Sequence, residues 1–298
     1  MSQLIQCVPN FSEGVRTDVL DAIVAAVAGS PGVRLVDWSA DSDHNRMVVT
    51  FIGPPEPVRA AALAVCAVAI GQIDLRAHKG VHPRLGAVDV LPFVPIRDVT
   101  LGECAAIAKS VGQELAARHQ LPVFLYADAS PALHPLPLIR KEAFKTIAPD
   151  YGPAIPHPTA GSAVVGARGP LVAYNVNLAT SDIRAARTIA REIREQAAAN
   201  SPLFMGVRAL GLMLASRSIA QVSMNVTRPD ETPILPIFQF IQRRAEELGT
   251  SVLDSEVIGA LPGYSAFGLV RDALKATGLK PGQILFENWP DGMEDDSE

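Results

Sequence analysis

Apolar positions along the chain switch between two periods. Residues 4–8, LIQCV, form an apolar run of strand length. From Thr17, expected as a cap, Leu20, Ile23, Val24 and Val27 recur at the spacing of one helix face, until Gly29 and Pro31 stop the helix. VRLVDW and RMVVTFI then predict two strands, Glu56 and Pro57 open an Ala/Val-rich helix to about Ile70, and AVDVLPFVPI predicts a fourth strand. The order is βαββαβ.

The second half spells the same order. LVAYNVNL is a strand, Ser181 and Arg184 begin a helix to about Ala199, GVRALGLML and AQVSMNV are two strands, Thr232 and Pro233 open a helix to about Leu248, and SVLDSEVIG is the last strand. The expected fold is α/β (α+β): two ferredoxin-like (split βαβ) subdomains from an apparent duplication, with a groove between them. The boundary falls near Gly169, giving units 1–169 and 170–298. Between the repeats stand a helix from Thr100, with Glu103 placed for a capping box, and a strand PVFLYA. The Pro/Gly/Ala-rich stretch from Ala127 to Arg168 reads as a long ordered loop closing over the groove.

Composition narrows the function. Of the 298 residues 19% are charged, with a net charge of −5 and the basic residues scattered, which speaks against nucleic acid as a partner. The longest apolar stretch, Ala60 to Ile70, is too short to span a bilayer, and the start MSQLIQCVPN lacks a signal-peptide pattern, so the cytoplasm is the expected compartment and no membrane is involved. Cys7, Cys66 and Cys104 are widely spaced and odd in number, the pattern of reduced, buried thiols rather than of a disulfide framework or a cysteine metal site.

Four stretches carry candidate chemistry. In HKGVHPRLGAVDVLPFVP, Gly80 and Pro83 prevent the helix that an HxxxH zinc site needs, so no metal is expected. Pro83 restricts His82 to extended backbone, and Arg84 close by would favour a neutral ring, so His82 is either a general base or a structural turn histidine. The turn DWSADSDHNR crowds Asp41, Asn45 and Arg46 and is either a polar turn or a binding rim. GPAIPHPTAGSAVVGARG has neither a dinucleotide nor a phosphate-loop pattern. It is a rigid linker or, through Gly161 and Gly166, a place where backbone approaches a flat ligand. CVPNFSEG puts Asn10, Ser12 and Glu13 at a strand end, as a turn or a ligand contact.

Taken together, CVPNFSEG, the Asp-rich turn ending in NR, HKGVHPRLGAVDVLPFVP, PDYGPAIPHPTAGSAVVGAR, AYNVNL and AQVSMNV stand in the order that resembles the glutamate formiminotransferases, over nearly the whole chain. The resemblance implies transfer of the formimino group from N-formimino-L-glutamate to N5 of tetrahydrofolate, the co-substrate, in histidine degradation, by a homodimer. Cyclisation of the product would fall to a separate cyclodeaminase. The resemblance places the catalytic histidine at His82. It places the folate-binding segment at Gly152, Pro153, Ala154, Ile155, Pro156, His157, Pro158, Thr159, Ala160 and Gly161, with Asn10, Asp41, Asn45, Arg46, Arg84 and Arg168 as substrate-binding candidates. Ala160 replaces a tryptophan found in some relatives, and Gly169 follows GAR in place of a lysine. Two rivals remain at this level: formyl transfer between 5-formyltetrahydrofolate and glutamate, and a catalytically silent folate-binding module. Aspartates beside the transferred group favour the cationic formimino donor, and a histidine at position 82 speaks against a silent module.

Overall fold

The computed structural model describes residues 3–42, 44–80, 84–276 and 278–280. The chain divides into two compact units, the first ending at Gly169 and the second beginning at Pro170.

The first unit runs β1 (Leu4–Cys7), β2 (Asn10–Phe11), α1 (Thr17–Ala28), β3 (Arg34–Asp41), β4 (Arg46–Gly53), α2 (Pro55–Gln72) and β5 (Val88–Arg97). The segments β1 and β2 are one broken strand. Pro9 lies between them and has no N–H for a ladder bond, yet both pair antiparallel with β4 on one side and β5 on the other. With β3 beyond β4, the spatial order is that of a split βαβ unit. Three further elements, α3 (Leu101–His119), β6 (Val123–Ala127) and β7 (Ala163–Ala167), extend the sheet, β7 lying parallel between β5 and β6.

Helix α1 buries Leu20, Ile23 and Val27, the stripe its spacing predicts. Burial of each such side chain contributes about 1.5–3 kcal/mol. Thr17 is the first residue of that helix rather than its cap: Arg16 stands at the cap position without a side-chain cap bond, and its N–H is held by the carboxylate of Glu13. Helix α2 buries mostly small residues, among them Ala61, Ala62, Cys66 and Ala69. The three cysteines are free and buried, and burial pushes each thiol above its ordinary pKa. The expected capping box on α3 is formed: Glu103 N–H donates to Thr100 Oγ1 at 3.2 Å and Thr100 N–H to Glu103 Oε2 at 2.7 Å.

The stretch from Ala127 to Arg168 is not one loop. It contains α4 (Leu136–Glu142) and the sheet strand β7. Alternation along β6 sends Val123 and Leu125 into the core with α2 and α3, and Phe124 and Tyr126 to the opposite face. There they pack with Val90, Val164 and Ile139 of α4. Phe144 meets Phe124 edge to face, with ring centroids 5.0 Å apart, and so ties the end of α4 to the sheet.

The second unit repeats the order as β8 (Val172–Leu178), α5 (Ile183–Ala198), β9 (Val207–Leu214), β10 (Ile219–Val226), α6 (Ile234–Glu247) and β11 (Val252–Ile258), in an antiparallel sheet ordered β11-β8-β10-β9. Its core joins Val176, Val222 and Met224 to Ile189 and Ile193 of α5 and Ile237 and Ile241 of α6. Asp182, not Ser181, caps α5 by accepting from Arg184 N–H at 2.9 Å. A last helix, α7 (Gly263–Ala273), follows.

Candidate active site

Where β2 faces β5 the register shifts: Asn10 lies opposite Val90 and Phe11 opposite Val88, so Asp89 is the extra residue of a bulge. A bulge re-aims the side chain it carries. The Asp89 carboxylate is fully buried. Its Oδ2 accepts from Arg46 Nη1 on β4 and from Arg140 Nη2 on α4, and its Oδ1 accepts from Leu85 N–H at 3.0 Å. Arg46 Nη2 donates to Asn10 Oδ1 at 2.7 Å, and Asn10 Nδ2 to Val8 O at 2.8 Å. Removing a cation from such a pair typically costs about 3–5 kcal/mol, because a buried charge is left uncompensated. Burial lowers the Arg46 pKa, Asp89 pulls it back up, and the cations Arg140 and Arg84 lower it again. The guanidinium stays charged throughout.

Above this cluster the β3–β4 turn meets two loops. Asn45, with φ +47°, accepts from Gly14 N–H at 2.8 Å and donates to Lys79 O at 2.8 Å. Side chains larger than glycine do not fit at either contact. A Cβ on Gly14 would stand 2.3 Å from Asp41 O, and one on Gly80 would stand 2.6 Å from His44 O. Arg84 Nη2 donates to Gly80 O at 2.9 Å and Nη1 lies 2.7 Å from His78 Nε2, so the residues on either side of 81–83 are tied together. The Arg84 guanidinium thus lies against the ring of His78. His82 itself lies outside the described residues. Asp41 Oδ1 accepts from His44 N–H at 2.8 Å and pairs with His44 Nδ1 at 3.0 Å, which holds the carboxylate at the exposed tip of the turn.

Beside these residues the strand end leads into α1. Glu13 is 3% exposed, and its Oε1 accepts from the N–H groups of Gly14, Val15 and Arg16, while Oε2 accepts from Arg16 Nε at 2.6 Å. Burial alone would raise its pKa. The backbone N–H groups of Arg16 and Val15 and the Arg16 guanidinium outweigh it and hold the carboxyl below the usual range.

The segment from Gly152 to Gly161 is an ordered loop stitched to the chain that leads into β5. Leu75 N–H donates to Thr159 O at 2.8 Å, Ala87 N–H to Ala160 O at 2.9 Å, and Ser162 N–H to Leu85 O at 2.9 Å. His157 Nδ1 accepts from Ala160 N–H at 3.0 Å and from Thr159 N–H at 3.3 Å, which fixes the ring's orientation in the loop. Gly161, at φ +67°, leaves only 2.4 Å between an added Cβ and Leu85 O. Ala160 is buried in the main core, whereas Ile155 presents an apolar side chain that is 72% exposed. Arg168, at the end of β7, donates to Gly169 O and lies beside the buried Tyr126 hydroxyl.

Of the residues singled out in the sequence, Asn10 and Arg46 therefore join directly, Asn45 and Arg84 are linked through His78, whose Nε2 lies 3.1 Å from Asn45 O and 2.7 Å from Arg84 Nη1, and Asp41 stands at the rim. Asp89 and Arg140 were missed. Asp89 sat unnoticed within an apolar strand pattern, and Arg140 within a stretch read as loop. Among the described residues no group of three or more His, Cys, Asp or Glu is placed to hold a metal, and no helix is long and apolar enough to cross a membrane.

Residues 4–168 match the sequence profile of the N-terminal subdomain of the formiminotransferase domain, and residues 173–268 that of the formiminotransferase domain. The chain belongs to the formiminotransferase family. It is 39% identical to the glutamate formimidoyltransferase of Streptococcus pyogenes serotype M1, over 97% of this chain and 99% of that protein. The glutamate formimidoyltransferase of Thermoplasma acidophilum is 36% identical over 95% and 96% of the two chains. The formimidoyltransferase-cyclodeaminase of Rattus norvegicus is 40% identical over 88% of this chain, which spans 51% of that longer protein. The two formiminotransferase profiles meet the chain on either side of Gly169, within a few residues of the division between its compact units.

Proposed function

We propose that this protein transfers the formimino group of N-formimino-L-glutamate to N5 of tetrahydrofolate, releasing L-glutamate. The observation that carries the reading is the match, along nearly the full length of both chains, to a protein named glutamate formimidoyltransferase. The chemistry calls for three things. N5 attacks the amidine carbon, so a base must take a proton from nitrogen as the tetrahedral intermediate forms, and the same group must protonate the departing glutamate nitrogen. The cationic formimino group needs a carboxylate, and the glutamate portion needs cations.

His82 is the base in this reading, supported by its motif and by the anchoring of both flanks of the segment through Arg84, Gly80 and His78. Asp41 is the carboxylate for the formimino cation, presenting Oδ2 from a turn that His44 holds through Oδ1. Arg46, Arg84 and Asn10 supply the polar floor, with Asn45 holding the loops around it, and the loop from Gly152 to Gly161 offers backbone and the exposed Ile155 to the flat pterin. Arg168, beside Tyr126, remains a candidate for the folate's anionic end.

The test is turnover of N-formimino-L-glutamate with tetrahydrofolate by the purified chain and by two variants. His82→Ala should lower kcat by about 10²–10⁴-fold, the usual contribution of a positioned acid–base group. Asp41→Asn should raise the KM for formiminoglutamate. Near wild-type kcat in His82→Ala would remove the base assignment, and unchanged constants in Asp41→Asn would remove the carboxylate.

A further inference from the structure

The Arg46–Asp89–Arg140 cluster is built in an unusual way for a structural ion pair. Asp89 does not receive a fork from either arginine. Its single oxygen Oδ2 takes one Nη from each, so two guanidinium groups are drawn together on one carboxylate. Two like charges thus stand side by side in a largely buried place. Arg140 also carries an Nε–H that is buried and finds no hydrogen-bond partner among the described residues, so its donor set is not satisfied by the fold. The Tyr126 hydroxyl, raised in pKa by burial, feels Arg168 and Arg140 as cations that pull it back. The side chains of Arg46 and Arg140 are 16% and 19% exposed, so neither is sealed off from solvent.

We infer that Arg140 is a substrate-binding residue: with Arg46 it receives one carboxylate of the amino-acid substrate, and Asp89 is the positioning residue that holds the two guanidinium groups at the spacing a carboxylate bridges. The inference deepens the formimino-transfer reading and rests on it. Nucleic acid or a metal has no place in such a site. It takes a small carboxylate anion, and its residues come from three elements, β4, β5 and α4. Short α4 is fixed for this purpose by Ile139 below and Phe144 beyond, packed on Phe124.

Arg140→Lys keeps a cation beside Asp89 while removing the planar fork, and Arg140→Met removes both. In the full chain, Arg140→Lys should melt close to the wild-type temperature and show a KM for formiminoglutamate raised about 10–100-fold, the range for a lost charge-assisted pair, with the KM for tetrahydrofolate unchanged. Arg140→Met should raise it further, and calorimetry with L-glutamate should show weakened binding in both. An Arg140→Lys protein with unaltered KM for formiminoglutamate and unaltered glutamate binding overturns the inference. So does a parallel loss against both substrates with a lowered melting temperature, which marks a purely structural arginine. Wild-type protein that binds glutamate through Arg140 yet turns over no formiminoglutamate would sink the proposed function and leave the carboxylate site standing.

Discussion

Glu13 shows how much a single carboxylate can organise. It accepts from three consecutive backbone N–H groups just before α1 and from the guanidinium of Arg16, and it does so almost wholly out of water. Its folded pKa lies below the unfolded one. The stabilisation is therefore complete above the ordinary Glu value of about 4.3 and is lost as the pH falls through the folded value. Glu13→Gln should destabilise the protein by about 1–3 kcal/mol at neutral pH. In denaturant titrations the gap to wild type should close on acidification, and a gap independent of pH would contradict the charge-based account. This role was within reach of the sequence, since Arg16 is three residues away and no Ser, Thr or Asp stands at position 16 to cap the helix. The Asp89–Arg140 pair was not. Its partners are 51 positions apart, and the bulge that aims Asp89 arises only when β2 and β5 pair.

Elements with strong local signals formed as their patterns predict. The stripe Leu20, Ile23, Val27 made α1, and Thr100 with Glu103 made its capping box, because both signals lie within one or two helical turns. Between Ala127 and Arg168 the signals conflict. Prolines at 135 and 137 hide a seven-residue helix, and AVVGA is short and small for a strand, yet β7 lies between two parallel neighbours and is wholly buried. Tertiary packing decides there, not propensity. The loop from Gly152 to Gly161 depends on glycine at its last position. Gly161→Ala places a Cβ against Leu85 O in a left-handed conformation, and should cost about 1–3 kcal/mol and weaken tetrahydrofolate binding. Gly169→Ala, where an added Cβ meets nothing within 4 Å, should leave the melting temperature and folate binding alike unchanged. Equal behaviour of the two variants in thermal melts and folate titrations would refute a special role for Gly161.

At the scale of the whole molecule, the repeated βαββαβ pattern became two sheets with the same order of strands, the first of them extended by β7 and β6. That extension is what adds α4, and with it Arg140, to a face that an unadorned split βαβ unit leaves uncovered. The hydrophobic periods made the duplication legible, since each period reports only which side of an element is buried. The assembly of the site was less so, because it joins β2, β4, β5, α4 and two loops at their ends. The function turns on the identity of the transferred group. The most direct measurement is mass spectrometry of the folate product after the purified protein is incubated with N-formimino-L-glutamate and tetrahydrofolate, beside a second incubation with 5-formyltetrahydrofolate and glutamate. A formimino-substituted tetrahydrofolate, with glutamate released in equal amount, should form in the first mixture alone. Turnover confined to the second mixture, or folate bound with neither mixture converted, would contradict formimino transfer.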